Sequence, residues 1–268
     1  MNKPIYISFC AQKGGVGKSV FTSLFASYLH YRTELNVAII DCDYPQHSLL
    51  KFRAREINKL KTIPKFGKAF ADQMASLTKK SYPIIGSDIT EGISAARSLV
   101  QNSVATAGFD IIFFDFPGTI NTPGMLSALS EMDYLFIPIE ADRLVLESEI
   151  EFAHTMKEVY TSINKPSKLW LYWNRNQRSV KTPLYDNYEK VISEFGLSVL
   201  SNRIYHAAAF QKEMEQESEP RNVFRSTVFP YSKMALRGAN IAIDDFFHEI
   251  IEILNLNITN NYIKPTKE

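Results

Sequence analysis

Six mostly apolar residues, IYISFC (5–10), run directly into the loop AQKGGVGKS (11–19). A buried strand that ends in closely spaced glycines and then starts a helix has few ways to fold. Glycines let successive backbone N–H groups turn inward, and the positive end of the new helix faces whatever the loop encloses. The strand must be covered and the helix must pack back on it, which is the first half of a βαβ unit. The strict phosphate-loop pattern GxxxxGK[ST] fails at one position only, where Gln12 replaces its first glycine. Gly14, Gly15, Val16, Gly17, Lys18, Ser19 and Val20 are therefore expected around the phosphates of a nucleotide. Lys18 would reach the β- and γ-phosphates and the Ser19 hydroxyl would ligate Mg²⁺. The bland alternative is a tight strand–helix turn with incidental lysines.

The rest of the chain repeats this alternation. Near-continuous apolar runs at 36–41, 110–116, 134–139, 169–174 and 197–204 suit strands covered on both faces. Helical periodicity marks 18–31, 92–107, 143–162, 184–196 and 241–256. The expected fold is α/β, a doubly wound, mostly parallel sheet with helices on both faces. With no repeat or linker in view, residues 1–256 read as a single domain, followed by a short polar tail over 257–268. The 268 residues carry a formal net charge of +1, so any grip on nucleic acid must come from a local patch. Cys10 and Cys42 are the two cysteines and form no CxxC pair, which argues for reduced, buried thiols and against a thiolate metal site. The N-terminus leads straight into a strand, and no stretch approaches the roughly 20 apolar residues of a membrane span. A soluble, cytoplasmic protein is expected.

Ligands of such sheets bind outside the carboxyl ends of the strands, and the unusual residues collect there. DCDYPQHS (41–48) follows the second apolar run, PGT follows DIIFFDF (110–116), and RNQ follows LWLYWN (169–174). Asp115 ends a buried run, a costly place for a carboxylate unless something pairs it, which favours a functional role. The turn at Pro117–Gly118 would bring a backbone N–H near the γ-phosphate. Asp41 and Asp43 equally suit capping of a following helix. Asn174 offers the donor and acceptor that an adenine edge requires, or is an ordinary strand-end turn residue.

The lysine immediately before the double glycine, Lys13 in KGGVGKS, resembles the deviant Walker A motif of the ParA/MinD ATPases. The resemblance runs in motif order over roughly residues 3 to 180 and implies ATP and Mg²⁺ as ligands. It also implies that Lys13 crosses a homodimer interface to the partner's nucleotide. A second ammonium near a polyphosphate adds roughly 4 kcal/mol of attraction per unit-charge pair at about 4 Å and an effective dielectric of 20. Binding in cis, or plain solvation, are the other roles open to Lys13. DCDYPQHS resembles the family's DxDPQ switch segment with Tyr44 inserted ahead of Pro45. By that resemblance Asp43 positions the attacking water, Asp41 lies nearer the Mg²⁺ shell, IIFFDFPG is a Walker B strand whose Asp115 holds Mg²⁺ through water, and Asn174 recognises adenine. Lys13, Lys18 and Asp43 are thus the expected catalytic residues.

A slow ATPase that dimerises on ATP is a switch, and its output surface decides its biology. Arg221, Arg225, Lys233 and Arg237 lie in a stretch without acids, and the resemblance implies non-specific DNA binding by C-terminal basic residues. A second basic stretch, Lys51 to Lys68, holds seven Lys/Arg against Glu56 alone. Either stretch is also explained as a solvated helix face. A membrane is the less fitting partner, because the polar face of 241–257 carries Asp244, Asp245, Glu249 and Glu252, which anionic lipid repels. The expectation is a ParA-like ATPase for partitioning or transfer of plasmid or mobile DNA, stimulated by a ParB-like protein. The alternative is an ATP-gated scaffold that positions a protein cargo without touching DNA.

Overall fold

Seven parallel strands form one sheet in the order β3-β2-β4-β1-β5-β6-β7. The computed structural model describes residues 3–77, 79–103, 108–119, 121–177, 182–232 and 242–258. The strands are β1 (Ile5–Phe9), β2 (Val37–Asp41), β3 (Ile84–Gly86), β4 (Ile111–Asp115), β5 (Tyr134–Ile139), β6 (Leu169–Trp173) and β7 (Ser198–Val199). The helices are α1 (Lys18–Arg32), α2 (Ser48–Thr62), α3 (Pro64–Ser76), α4 (Gly92–Asn102), α5 (Met125–Ser130), α6 (Arg143–Ser162), α7 (Thr182–Glu194) and α8 (Ile243–Ile253), with two single 3₁₀ turns between β7 and α8.

Strand periodicity divides the core into two layers. Ile7, Phe9, Phe113 and Phe136 point toward α1 and α8, whereas Ile40, Ile112, Phe114, Leu135 and Ile137 point toward the side of α4, α5 and α6. Both faces of the central strands are dry, which is why their sequences read as unbroken apolar runs. Aromatic packing fixes the start of α1. Phe21, on its first turn, lies 5.9 Å from Phe9, 5.3 Å from Tyr172 and 5.6 Å from Phe246 (ring centroids). Such pairs contribute about 0.5–1.5 kcal/mol each beyond area burial, and here they lock the loop before α1 to β6.

The expected strands and helices are present, with informative differences. The run 197–204 contributes only Ser198–Val199 to the sheet, although the chain stays alongside β6 through the backbone bond from Ile204 N–H to Trp173 O (2.8 Å) and the bridge Asn176–Tyr205. α2 and α3 carry broad polar faces and β3 is three residues long, so periodicity alone does not announce them. The helix expected over 92–107 is Gly92–Asn102, and 104–107 lie outside the described residues, as do 259–268 of the expected tail. α8 buries Ile243, Phe246, Phe247, Ile250 and Ile251 against the sheet. Its Glu249 accepts bonds from Ser201 N–H (2.6 Å) and Asn202 N–H (2.9 Å), so the acidic face is part of a tertiary contact. No helix among the described residues is long and apolar enough to cross a membrane.

Candidate functional site

β1 sits where the strand order reverses, with β4 on one side and β5 on the other, and the loop after it opens on the crevice such reversals create. Gly17 has a left-handed backbone (φ 91°) that turns the chain into α1, and Gly15 (φ 77°) shares that geometry. The Lys18 side chain is buried, and its ammonium donates to Lys13 O (3.2 Å). Gly118, after β4, presses on the loop so closely that a Cβ there would lie 2.6 Å from Gly14 Cα. The loop is thus wedged from behind by the turn that follows Asp115.

A residue that motif reading passed over holds the front of the loop. Glu149 of α6 is fully buried, and its carboxylate accepts from Gln12 N–H (3.0 and 3.1 Å) and Lys13 N–H (3.3 Å). Burial raises its pKa to about 7, against the pull of those two bonds and of Lys18 and Lys13. An acid within the apolar stripe Leu146, Ile150, Ala153, Met156 is the signal that marks it. Lys13 is clamped through its backbone, while its ammonium favours the charged form of Glu149 without a close ion pair among the described residues.

The acidic residues separate by environment. Asp115 is fully buried, and neither carboxylate oxygen has a hydrogen-bond partner of good geometry among the described residues. Burial raises its pKa to about 7, while the nearby Ser19 hydroxyl and Lys18 favour the charged form. A carboxylate in that position, beside a hydroxyl, suits a hard cation. Among the described residues no cluster of three His, Cys, Asp or Glu side chains forms a metal site, so Mg²⁺ here would take its remaining ligands from water and phosphate oxygens, as it commonly does. Asp41 is committed differently: its carboxylate accepts from Leu49 and Leu50 N–H (both 2.9 Å) and from Asp43 N–H (3.3 Å). It caps α2 and shapes the switch segment, the alternative role left open above. Asp43 is half-buried, its pKa raised by burial and by Asp41. The inserted Tyr44 is 66% exposed and leans on His47, and Gln46 is exposed beside it.

A cavity of about 630 Å³ opens beside the loop. Gly17 to Phe21 line it together with Asn174, Arg175, Tyr205, Phe210, Glu213 and Arg225. Asn174 is in place but occupied, its amide donating to Val16 O (2.8 Å) and its carbonyl accepting from Arg175 N–H (2.9 Å). Arg175 bonds Gly15 O and pairs with Glu140 (3.2 Å). Phe229 packs instead with Phe66 and Met214.

The basic residues are placed unequally. Arg221 is exposed, Lys233 and Arg237 lie outside the described residues, and Arg225 is turned inward onto Glu213 (3.3 Å) and the Phe52 ring (4.7 Å). Of the stretch 51–68, Arg53 is half-buried on Thr227 and Tyr82, Lys59 bonds Met214 O, and Lys65 pairs with Glu219 (3.2 Å). Glu56, the lone acid of that stretch, is buried and accepts from Thr227 N–H (2.8 Å). These bonds pack α2 and α3 against 213–229, so the two basic stretches are neighbours in space.

Comparison with known families gives the same assignment as the loop. Residues 7–235 match the CbiA family, the CobQ/CobB/MinD/ParA nucleotide binding domain. The chain belongs to this family. Within it, this ParA/MinD-type chain is 26% identical over 168 residues to the chromosome-partitioning ATPase Soj of Thermus thermophilus, a match spanning 61% of this chain and 66%, just under two thirds, of that relative. The ParA family ATPase from Chlorobium tepidum TLS superposes with a TM-score of 0.51 at 25% identity, over 79% of this chain and 88% of that one. The ATP complex of Cyanothece McdA gives a TM-score of 0.58 at 16% identity, over 96% and 98%, a likeness of fold.

Proposed function

We propose that this ParA/MinD-type chain is an ATP-dependent dimerising switch that hydrolyses ATP slowly and acts on DNA. The observation that carries the reading is the division of labour between two lysines of one loop. Lys18 is buried inside the cradle, whereas Lys13 is half-buried and anchored through its backbone, with its ammonium in no close ion pair among the described residues. An ammonium so placed neutralises a polyphosphate that a second subunit presents, making the nucleotide part of the interface.

Ser19 and Asp115 would hold Mg²⁺, which supplies charge neutralisation on the phosphates. Asp43, with a pKa raised by burial and Asp41, is the acceptor that would orient the attacking water; positioning counts for more than basicity in phosphoryl transfer. The backbone N–H groups of the loop and the start of α1 bind and orient the phosphate chain. Exclusion of water falls to the second subunit closing over the cradle.

The output surface on this reading is Arg221 with the exposed Lys51, Arg55, Lys61 and Lys68 of the neighbouring helices. Each phosphate neutralised releases counterions, and a dimer doubles the patch. Relatives named for chromosome partitioning support a partition role, with a ParB-like activator and plasmid or conjugative DNA as the cargo.

Two measurements test this. Light scattering of Asp43→Ala should give twice the monomer mass with Mg-ATP and the monomer mass with Mg-ADP, and adding Lys13→Ala should abolish the doubling. A mass indifferent to nucleotide removes the switch. Duplex DNA should be shifted by the ATP-bound protein in a salt-dependent way. No shift at low salt leaves an ATP-gated scaffold for a protein cargo.

For the metal, Asp115→Asn should bind ATP in the absence of Mg²⁺ as the parent chain does, yet lose the gain that Mg²⁺ brings. A retained Mg²⁺ dependence in fluorescent-ATP titrations assigns the cation elsewhere.

A further inference from the structure

Arg225 stands among basic residues in the sequence but not on a basic surface in the fold. It lines the same cavity as Gly17, Lys18, Ser19 and Val20. Its setting is rigid. The guanidinium lies 4.7 Å from the Phe52 ring centroid, Nη1 pairs with Glu213 Oε1 at 3.3 Å, and the backbone N–H donates to Lys212 O at 2.9 Å.

The next two residues are fully buried and tied down. Ser226 O accepts from the Ser27 hydroxyl (2.8 Å), and Thr227 is bonded by both Glu56 and Arg53. The Nε of Arg225 is itself buried and has no hydrogen-bond partner among the described residues. A donor of a charged group left in that state costs free energy that a bound acceptor would recover. Burial also lowers the pKa of the guanidinium, while Glu213, Glu56 and Asp115 favour its charge, so an anion in the cavity would further stabilise it.

We propose that Arg225 is a contact to the nucleotide's phosphate chain, made in cis from the lining of the cavity that the glycine loop shares, and is not part of a nucleic-acid surface. Glu213 holds the planar fork in register, and Phe52 carries its stem and face. An arginine suits this place better than a lysine because its fork can bond Glu213 and a phosphate oxygen together. The inference rests on the cavity being the nucleotide site.

The test is a set of equilibrium titrations of the full chain with Mg-ATP, Mg-ADP and adenosine, comparing Arg225→Ala with the parent and with Arg221→Ala. Loss of one charge-assisted contact should weaken ATP and ADP binding by roughly ten- to a hundredfold while leaving adenosine within about twofold. Arg225→Lys should fall between. At saturating ATP, duplex-DNA affinity should be unchanged in Arg225→Ala and reduced in Arg221→Ala. Should Arg225→Ala lose its cooperative melt, Arg225→Gln, which keeps the stem on Phe52, takes its place with the same expected loss. ATP binding unchanged on removal of Arg225, or adenosine binding weakened as much as ATP binding, overturns the proposal. A parent chain that binds no ATP overturns instead the nucleotide-site reading beneath it.

Discussion

Gly118→Ala is expected to weaken ATP binding by about a hundredfold, although residue 118 belongs to the turn after β4 and not to the glycine loop. A Cβ there meets Gly14 Cα at 2.6 Å, Gly14 N at 2.9 Å and Lys18 Nζ at 3.1 Å, whereas carbon atoms pack best at about 3.5–4.0 Å. The first two obstacles are backbone, so no side-chain rotation relieves them. Either the turn after β4 or the loop itself must move by about 1 Å, and displacements of that size in a positioning loop cost about two orders of magnitude in function. Overpacking of this kind also costs about 1–3 kcal/mol of stability. Gly14→Ala is the control, since a Cβ at residue 14 meets nothing within 4 Å and should leave the melt of the free protein near that of the parent. Fluorescent-ATP titration and thermal melts read both effects. An affinity within threefold of the parent would show that the loop yields and would sink the steric argument.

The second large effect is a pH dependence carried by Glu149. Its pKa is raised by burial to about 7 from an ordinary 4.5. Across that window the folded chain keeps a proton that the unfolded chain has released. Stability therefore falls as pH rises from about 4.5 to 7, by roughly 3 kcal/mol from this group, and is flat above. The charged groups facing it are Lys13 and Lys18; Cys10 and Tyr172, also within its reach, have pKa values pushed far above this range and stay neutral. Glu149→Gln removes the titration and keeps an acceptor for Gln12 N–H. The melting temperature of the variant minus that of the parent should thus rise by several degrees, about 5–10 °C, between pH 4.5 and 7.5. A difference that does not change with pH would falsify the assignment.

Much of this protein is legible before any coordinate. The glycine loop after an apolar strand is a local pattern whose geometry follows from backbone freedom at Gly15 and Gly17, and the structure adds only their φ angles. Covered strands announce themselves as unbroken apolar runs, so the sheet and its two layers follow from residues that are neighbours in sequence. Asp115 shares that legibility, since an acid ending a buried run requires a reason, and in the fold neither of its oxygens has a hydrogen bond of good geometry among the described residues.

Other features depend on partners that no local pattern names. Asp41 and Asp43 look equivalent in DCDYPQHS, and only the start of α2 beneath them separates a helix cap from a free carboxylate. Glu149 reaches the loop across 137 residues, and Glu56 reaches Thr227 across 171. The seven basic residues of 51–68 read as one charged face, yet tertiary packing draws Arg53 and Lys59 inward and leaves others in solvent. Arg225 shows the same division most clearly. The sequence by itself determined the fold class, the phosphate loop and the buried aspartate, because these arise from short-range backbone and burial rules. Which charges face the cavity and which face solvent was decided by the tertiary structure alone, because desolvation and pairing depend on what packs against a side chain and not on what precedes it in the chain.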